Sequence, residues 1–167
     1  IALGKYEPYL SELIAEKADS SRIAIDVGAN IGYYTVLLAK KVKKVYAIEP
    51  EKESYEILRK NTRGMTGVVT IMAAASDKKG AGKLAVSEEN FGDHRLVTEG
   101  TGKAVKTITL DELAEEERVG LIKIDTQGWE PKVIEGAKKI ISRDRPVIFL
   151  EYSPTRYEET GNNGDRM

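Results

Sequence analysis

The chain has 167 residues, of which 41% are hydrophobic and 32% charged, and its formal net charge of -1 excludes a global basic field that would attract nucleic acid. It contains no cysteine and one histidine, which excludes disulfides, thiolate metal sites and multi-histidine zinc sites. A hard cation on carboxylates stays open as an alternative, and we predict no metal-binding residue. No apolar run approaches the roughly 20 residues of a membrane span and no signal-peptide pattern is present, so we expect a soluble cytoplasmic protein.

The first half of the chain predicts alternating helices and strands. The predicted elements are a helix at 9–18, a strand at 23–27, a helix at 31–41, a strand at 45–48, a helix at 51–61 and a strand at 68–74. Such alternation is typical of a parallel α/β sheet. We therefore expect a single domain over 1–167, with an N-terminal helix in 1–20, a Rossmann-like core over 23–152 and a mobile tail over 153–167.

The middle of the chain breaks this alternation. Short strands at 83–87 and 104–108 predict a small β insertion, and the glycine-rich, charged segment 88–102 between them predicts a long functional loop. Thr109 and Glu112 form a capping box that opens a short helix. A strand at 121–124, a helix at 130–141 and a strand at 147–150 complete the predicted core.

The turn after the first strand is the most informative segment. Asp26 precedes a glycine-bearing turn, in which Gly28 and Gly32 allow a tight backbone and the close approach of a ligand. The second strand ends in Glu49, an acid placed to accept hydrogen bonds from a ribose diol. Together, the two segments predict a site for a nucleoside-containing cofactor.

Two nucleotide-binding motifs that the sequence lacks narrow the choice of cofactor. A dinucleotide site requires G-x-G-x-x-G, but Asn30 and Tyr33 stand at the second and third glycine positions, and no phosphate-binding G-x-x-x-x-G-K-[ST] loop is present. Asp26 would repel a pyrophosphate and attract an ammonium group. S-adenosyl-L-methionine has a ribose, an ammonium and no phosphate, so the turn favours it over NAD. The structural alternative is a glycine turn that only packs a strand on a helix.

A second turn of the same type follows the strand predicted at 121–124. Asp125 ends that strand, Gly128 permits close approach and Glu130 opens the next helix. Ligands of open α/β sheets bind beyond the carboxyl ends of the strands, so we expect one acidic rim there. Its members are Asp26, Glu49, Asp125 and Glu151. The alternative for each acid is a helix cap or an ion pair with a lysine.

Several motifs along the chain point to a known family. They are the D-V-G-A-N-I-G-Y run at 26–33, Glu49-Pro50, A-S-D at 75–77 followed by Gly80, T-L-D at 109–111, and the block 123–136. In these motifs the sequence resembles the FkbM family of S-adenosylmethionine-dependent methyltransferases, from about Tyr6 to Glu151. The resemblance implies the class I methyltransferase fold: α/β, Rossmann-like, mostly parallel, with helices on both faces of the sheet.

The resemblance also implies site roles. Asp26, Gly28, Asn30 and Gly32 would surround the methionine end of the cofactor. Glu49 would hold the ribose, and the turn with Ala75 and Ser76 would flank the adenine.

The chain departs from the family pattern in three places. Many methyltransferases place an acid after the third strand to bind the adenine amine, whereas this chain has Ala74 or Ala75 there, with Asp77 as the candidate substitute. Gln127 stands where the family often has an acid, which weighs against a carboxylate metal pair. Nothing after Tyr152 predicts the closing sixth and seventh strands, as expected of a truncated chain or an unusually short member.

Methyl transfer to a hydroxyl needs alignment and a general base. Asp125 is a candidate because of its position, and His94 because histidine titrates near neutrality, although a lone loop histidine is more often a surface residue. Glu130 and Trp129 are candidates for acceptor binding, with helix capping and packing as their alternatives. We therefore predict O-methylation of a small-molecule or glycan hydroxyl, without a nucleic-acid partner. The alternatives are an RNA methyltransferase and a non-catalytic cofactor-binding or interaction module.

Overall fold

A computed structural model of the chain describes residues 6–86, 94–97 and 101–153. The helices are α1 (Pro8–Lys17), α2 (Tyr33–Leu38), α3 (Lys52–Asn61), α4 (Leu110–Leu113), α5 (Glu130–Glu135) and α6 (Lys138–Asp144). The strands are β1 (Ile23–Val27), β2 (Lys44–Ile48), β3 (Val68–Ile71), β4 (Ala74–Ala75), β5 (Gly80–Ala85), β6 (Arg95–Val97), β7 (Lys103–Ile108), β8 (Val119–Ile124) and β9 (Val147–Leu150).

The main sheet has five strands in the order β3-β2-β1-β8-β9, and all of its neighbouring strands are parallel. The chain builds the sheet outward from β1 in one direction and then returns to add β8 and β9 on the other side. This reversal creates a crevice at the carboxyl ends of β1 and β8, where open α/β sheets bind ligands. The predicted alternation and parallel sheet are confirmed.

Apolar layers cover both faces of this sheet, which explains why β1 and β8 are buried along their whole length. Ile14, Tyr34 and Leu38 bring α1 and α2 onto one face. The other face packs against the insertion and the C-terminal helices through residues such as Leu84, Leu110 and Ile140.

The insertion forms a second sheet in the order β4-β7-β5-β6, which we call the inserted sheet. The predicted strand 68–74 divides, because β3 ends at Ile71 and Ala74–Ala75 leaves the main sheet to pair with β7. The segment 88–102, predicted as a loop, contains β6, which pairs antiparallel with β5. The rest of that loop lies partly outside the described residues, as do Ser87 and residues 154–167 of the predicted tail.

Two predicted helices differ from those observed. The helix predicted at 31–41 begins only at Tyr33, because Asn30 and Gly32 have left-handed φ angles of 50° and 93°. The helix predicted at 130–141 is two helices, and the carboxylate of Asp111 accepts the N–H groups of Lys139 and Ile140 at the start of the second. Among the described residues, no helix combines the length and hydropathy that crossing a membrane would need.

Candidate active site

A cavity opens beyond the carboxyl ends of β1, β2 and β8, and the inserted sheet forms its opposite wall. The empty space of the cavity, counted together with the open solvent at its mouth, amounts to about 590 Å³. Four predicted cofactor residues line it: Gly28, Asn30, Glu49 and Ala75. The predicted catalytic and acceptor residues Asp125, His94 and Trp129 line it as well.

Four other predicted site residues do not line this cavity: Asp26, Gly32, Ser76 and Glu130. Asp26 and Glu130 are buried beneath the two turns, with 0% and 1% of their surface exposed. Gly32 packs on α3, since an added Cβ would lie 2.7 Å from Leu58 Cδ1. Ser76 supports the wall from behind through a bond to Trp129.

The first turn requires glycine at position 28. Gly28 has a φ of +71°, and an added Cβ would lie 1.8 Å from the carbonyl oxygen of Asp125. Both Gly28 and Ala29 donate their N–H groups to the carbonyl oxygen of Ile48 at 3.0 Å. The turn after β1 is therefore fixed against the ends of both neighbouring strands.

The carboxyl of Glu49 lies at the end of β2 and is only 5% exposed. Its Oε2 accepts the N–H of Asn30 at 2.8 Å, and its Oε1 accepts the N–H of Glu51 at 2.9 Å. Burial raises the pKa of Glu49 to about 7, although these two N–H groups favour its ionised form. Glu49 therefore joins the glycine turn to the start of α3 and still borders the cavity.

Lys123 is a central residue that the sequence reasoning missed. Its Nζ lies 3.1 Å from the carbonyl oxygen of Gly28, 3.4 Å from Asp125 Oδ2 and 3.6 Å from Asp26 Oδ1. Burial lowers the pKa of Lys123, but the carboxylates of Asp26 and Asp125 outweigh that effect and raise it above its ordinary value. The sequence feature that could have identified Lys123 is the presence of a lysine inside an otherwise apolar strand.

Asp26 is held by partners on two elements. Its Oδ2 accepts the hydroxyl of Thr35 on α2 at 2.6 Å, and its Oδ1 faces Lys123 on β8. The predicted ammonium-binding carboxylate thus lies under the glycine turn, where it neutralises a buried lysine.

Glu130 holds the second turn in shape. Its carboxylate accepts the N–H of Thr126 at 2.8 Å and the N–H of Gly128 at 3.0 Å, and burial raises its pKa. Within this turn, Gln127 has a φ angle of 53° and Gly128 one of 101°. This arrangement turns the side chain of Gln127 towards Asp125 and Glu151.

Asp125 and Glu151 form a hydrogen-bonded carboxyl pair at the ends of β8 and β9. Gln127 Nε2 donates to Asp125 Oδ1 at 3.0 Å and to Glu151 Oε2 at 2.6 Å. Burial raises the pKa of Asp125, but Lys123 and the neighbouring hydrogen bonds hold it below its ordinary value. Burial and Asp125 raise the pKa of Glu151 to about 7. In the described part of the chain, no three acidic or histidine side chains come close enough to hold a metal ion.

Trp129 forms part of the wall between the cavity and the inserted sheet. Its indole N–H donates to Ser76 Oγ at 3.1 Å. Asp77, the candidate substitute for an adenine-binding acid, instead pairs with Lys132 at 3.2 Å and does not line the cavity.

Comparisons with known proteins place this site in context. The family model of the methyltransferase FkbM domain matches residues 26–167. No curated protein matches the chain. Among solved structures, the methyltransferase FkbM from Methylobacillus flagellatus KT is 19% identical, with a TM-score of 0.58, over 78% of this chain and 32% of that one.

Two further structures share the fold. An rRNA methylase from Streptococcus thermophilus is 19% identical, with a TM-score of 0.52, over 85% of this chain and 67% of that one. A putative methyltransferase from Streptococcus mutans, solved with SAH, is 17% identical, with a TM-score of 0.51, over 83% of this chain and 66% of that one. The chain spans about a third of the Methylobacillus protein and about two thirds of the other two. At these identities, the likeness concerns the fold.

Proposed function

The chain belongs to the FkbM methyltransferase family and has the class I methyltransferase fold, and from this premise we propose that it methylates a small-molecule or sugar hydroxyl with S-adenosyl-L-methionine. The observation that supports this proposal most directly is the cavity in which the glycine turn after β1 is hydrogen-bonded to the buried carboxyl of Glu49. An acid at the end of the second strand is the group that binds a ribose diol in this type of sheet.

The described lining fits the parts of this cofactor. Ile48, Pro50 and Ala75 offer an apolar surface to a purine. Each oxygen of Glu49 accepts one backbone N–H and keeps a second lone pair for a ribose hydroxyl. No lysine or arginine is among the described lining residues, which disfavours a pyrophosphate and hence NAD.

The methionine end of the cofactor belongs beside the two turns. Gly28 permits close approach there, and Asn30 borders the cavity from the same turn. We assign Asp26 and Gly32 the role of shaping this turn, because neither lines the cavity. Bound here, S-adenosylmethionine supplies a methyl group on a sulfonium, an electrophile that needs an aligned nucleophile.

Asp125 is the group we assign to the acceptor hydroxyl. It lines the cavity, and Lys123 and Gln127 fix its carboxylate, so it is ionised and orients the hydroxyl by accepting its hydrogen bond. Glu151 has a pKa of about 7, so near neutral pH a fraction of the molecules has it ionised, and in these it takes up, through Asp125, the proton that the hydroxyl releases. Trp129 borders the same space, and Glu130 keeps the turn in place.

A small or glycan acceptor fits this rim better than RNA. Beside Asp125 lies a second hollow, bordered by Glu7, Tyr34 and Glu151. The carboxyls of Glu7, Asp125 and Glu151 outnumber the one cation among the described residues of this hollow, Lys123. They disfavour a phosphate backbone, whereas hydroxyl groups can donate to them.

Calorimetry with S-adenosylhomocysteine tests the proposal. We expect binding by the wild-type protein and at least a tenfold loss of affinity in Glu49→Ala, roughly the value of one hydrogen bond to a charged group. NAD binding without S-adenosylhomocysteine binding would overturn the cofactor assignment. Transfer of labelled methyl groups to a panel of sugars and phenols, compared with RNA transcripts, tests the acceptor class.

A further inference from the structure

His94 stands at one end of the cavity, and its place follows from the register of the inserted sheet. It directly precedes β6, in which Arg95 pairs with Ala85 of β5. At the same end of the sheet, Leu84 pairs with Lys103 of β7. Lys103 Nζ in turn lies 3.9 Å from Glu51 Oε1 at the start of α3. This end of the inserted sheet is therefore held over the residues that follow β2.

Asp125 belongs to a different part of the cavity. It follows β8, which is two strands away from β2 in the main sheet. At about 4.8 Å between neighbouring strands, the two strand ends are roughly 10 Å apart. His94 thus lies on the side of Glu49 and Pro50, where the nucleoside of the cofactor belongs, and away from the carboxyl pair at the ends of β8 and β9.

The surroundings of His94 suit a purine. The neighbouring lining is apolar and consists of Ile48, Pro50, Ala74, Leu84 and Leu96. Of the described lining residues from the inserted sheet and its flanks, His94 is the polar one. Of the other polar groups nearby, the carboxyl of Glu49 is assigned to the ribose, and the Trp129 indole donates to Ser76.

We propose that the His94 imidazole hydrogen-bonds the adenine edge of the cofactor and so selects adenine over other bases. This inference rests on the proposed function. A neutral imidazole offers one N–H donor and one bare nitrogen, and the bare nitrogen can accept from the exocyclic amine of adenine. His94 then replaces the adenine-binding acid for which this chain has Ala74 and Ala75, while Asp77 is paired with Lys132. It serves cofactor recognition and is not the general base.

Nuclear magnetic resonance of the wild-type protein tests this directly, because His94 is the only histidine and gives one set of imidazole signals. We expect 5′-methylthioadenosine and S-adenosylhomocysteine to shift these signals, and homocysteine, which lacks the nucleoside, to leave them in place. Imidazole signals that stay unmoved at saturating S-adenosylhomocysteine overturn the inference.

Calorimetry of variants provides an independent measure. We expect His94→Ala to bind S-adenosylhomocysteine about tenfold more weakly than the wild type. It should also lose most of the preference for S-adenosylhomocysteine over S-inosylhomocysteine, in which a carbonyl replaces the amine. Lys106→Ala, an exposed change on β7, should keep both affinities.

The outcomes separate the two proposals. If the wild type binds S-adenosylhomocysteine and His94→Ala binds both ligands with wild-type affinities, the role of His94 is wrong and the proposed function stands. If the folded wild type binds neither S-adenosylhomocysteine nor 5′-methylthioadenosine, the proposed function and the role of His94 both fall.

Discussion

Lys123 Nζ lies 3.6 Å from Asp26 Oδ1, and this buried ion pair connects the two strand-turn-helix motifs of the chain. The lysine belongs to β8 and the aspartate to β1, which are adjacent in the sheet. Because Nζ also reaches the carbonyl oxygen of Gly28 and the carboxylate of Asp125, one cation holds both turns at the cavity. Two motifs distant in sequence therefore form one structural unit.

Replacing Lys123 by methionine should strongly destabilise the fold. The side chains are similar in length, but the change leaves Asp26 as a buried carboxylate without its cation, which costs about 3–5 kcal/mol. The free energy of unfolding in urea at pH 7 measures this. Lys106→Met on the exposed face of β7 is the control and should change it by less than about 0.5 kcal/mol.

A double variant sharpens this prediction. Adding Asp26→Asn to Lys123→Met removes the uncompensated charge, so we expect it to recover part of the lost stability. If the double variant loses more free energy of unfolding than the two single variants lose together, the view that the two groups stabilise each other is contradicted.

Gly28→Ala should damage the site more than backbone strain alone can explain. Its Cβ would overlap the Asp125 carbonyl oxygen, so β8 or the turn must move. Gly64→Ala is a matched control, because Gly64 has a φ of +83° and no atom within 4 Å of an added Cβ. We expect the control to lose about 1 kcal/mol of stability and to retain S-adenosylhomocysteine binding, and Gly28→Ala to lose that binding. Equal losses of stability and of S-adenosylhomocysteine binding in Gly28→Ala and Gly64→Ala would contradict the close contact between position 28 and the Asp125 carbonyl oxygen.

The sequence predicted the main sheet because its signals are local. Apolar runs ending in glycine turns mark β1 and β8. Glu49, Asp125 and Glu151 follow β2, β8 and β9 at one edge of the sheet, as parallel strands require. The inserted sheet was only partly predictable. Ala74 and Ala75 continue the apolar pattern of β3, and only their pairing with β7 shows that they have left the main sheet.

The site was harder to predict than the fold, because burial decides what each acid does. Asp26 and Glu130 carry the expected charge at the expected positions, yet both are enclosed and bind groups of the protein itself. Lys123 escaped notice because its three oxygen partners come from β1 and from the two turns that follow β1 and β8. No spacing rule within one segment encodes such a contact.

The raised pKa of Glu49 predicts a pH-dependent stability. Its carboxyl has a pKa of about 7 in the folded protein and the ordinary value of 4.5 in the unfolded chain, so the folded state holds a proton that the unfolded state has lost. Stability should therefore fall as the pH rises from 4.5 to 7, by roughly 3 kcal/mol from this group. Urea unfolding of the wild type and Glu49→Gln at several pH values measures the difference.

A control separates Glu49 from Glu151, whose pKa is also raised to about 7. Glu151→Gln should remove only the part of the pH dependence of stability that Glu151 contributes, and the contribution of Glu49 should remain. We expect the contribution of Glu151 to be the smaller one, because Glu151 is more exposed than Glu49. Stability curves of wild type and Glu49→Gln that run parallel between pH 4.5 and 7 would show that Glu49 titrates normally.

Trp129 offers an optical test of the cavity wall, because it is the only tryptophan and is 8% exposed. Its ring borders the cavity, so S-adenosylhomocysteine should change its fluorescence emission. Ser76→Ala removes the acceptor of its buried indole N–H and should lower the free energy of unfolding by about 1–3 kcal/mol. It should also weaken the ligand affinity obtained from the fluorescence titration, since the indole can then rotate out of the wall. Emission that stays constant while calorimetry records binding would place the ligand away from Trp129.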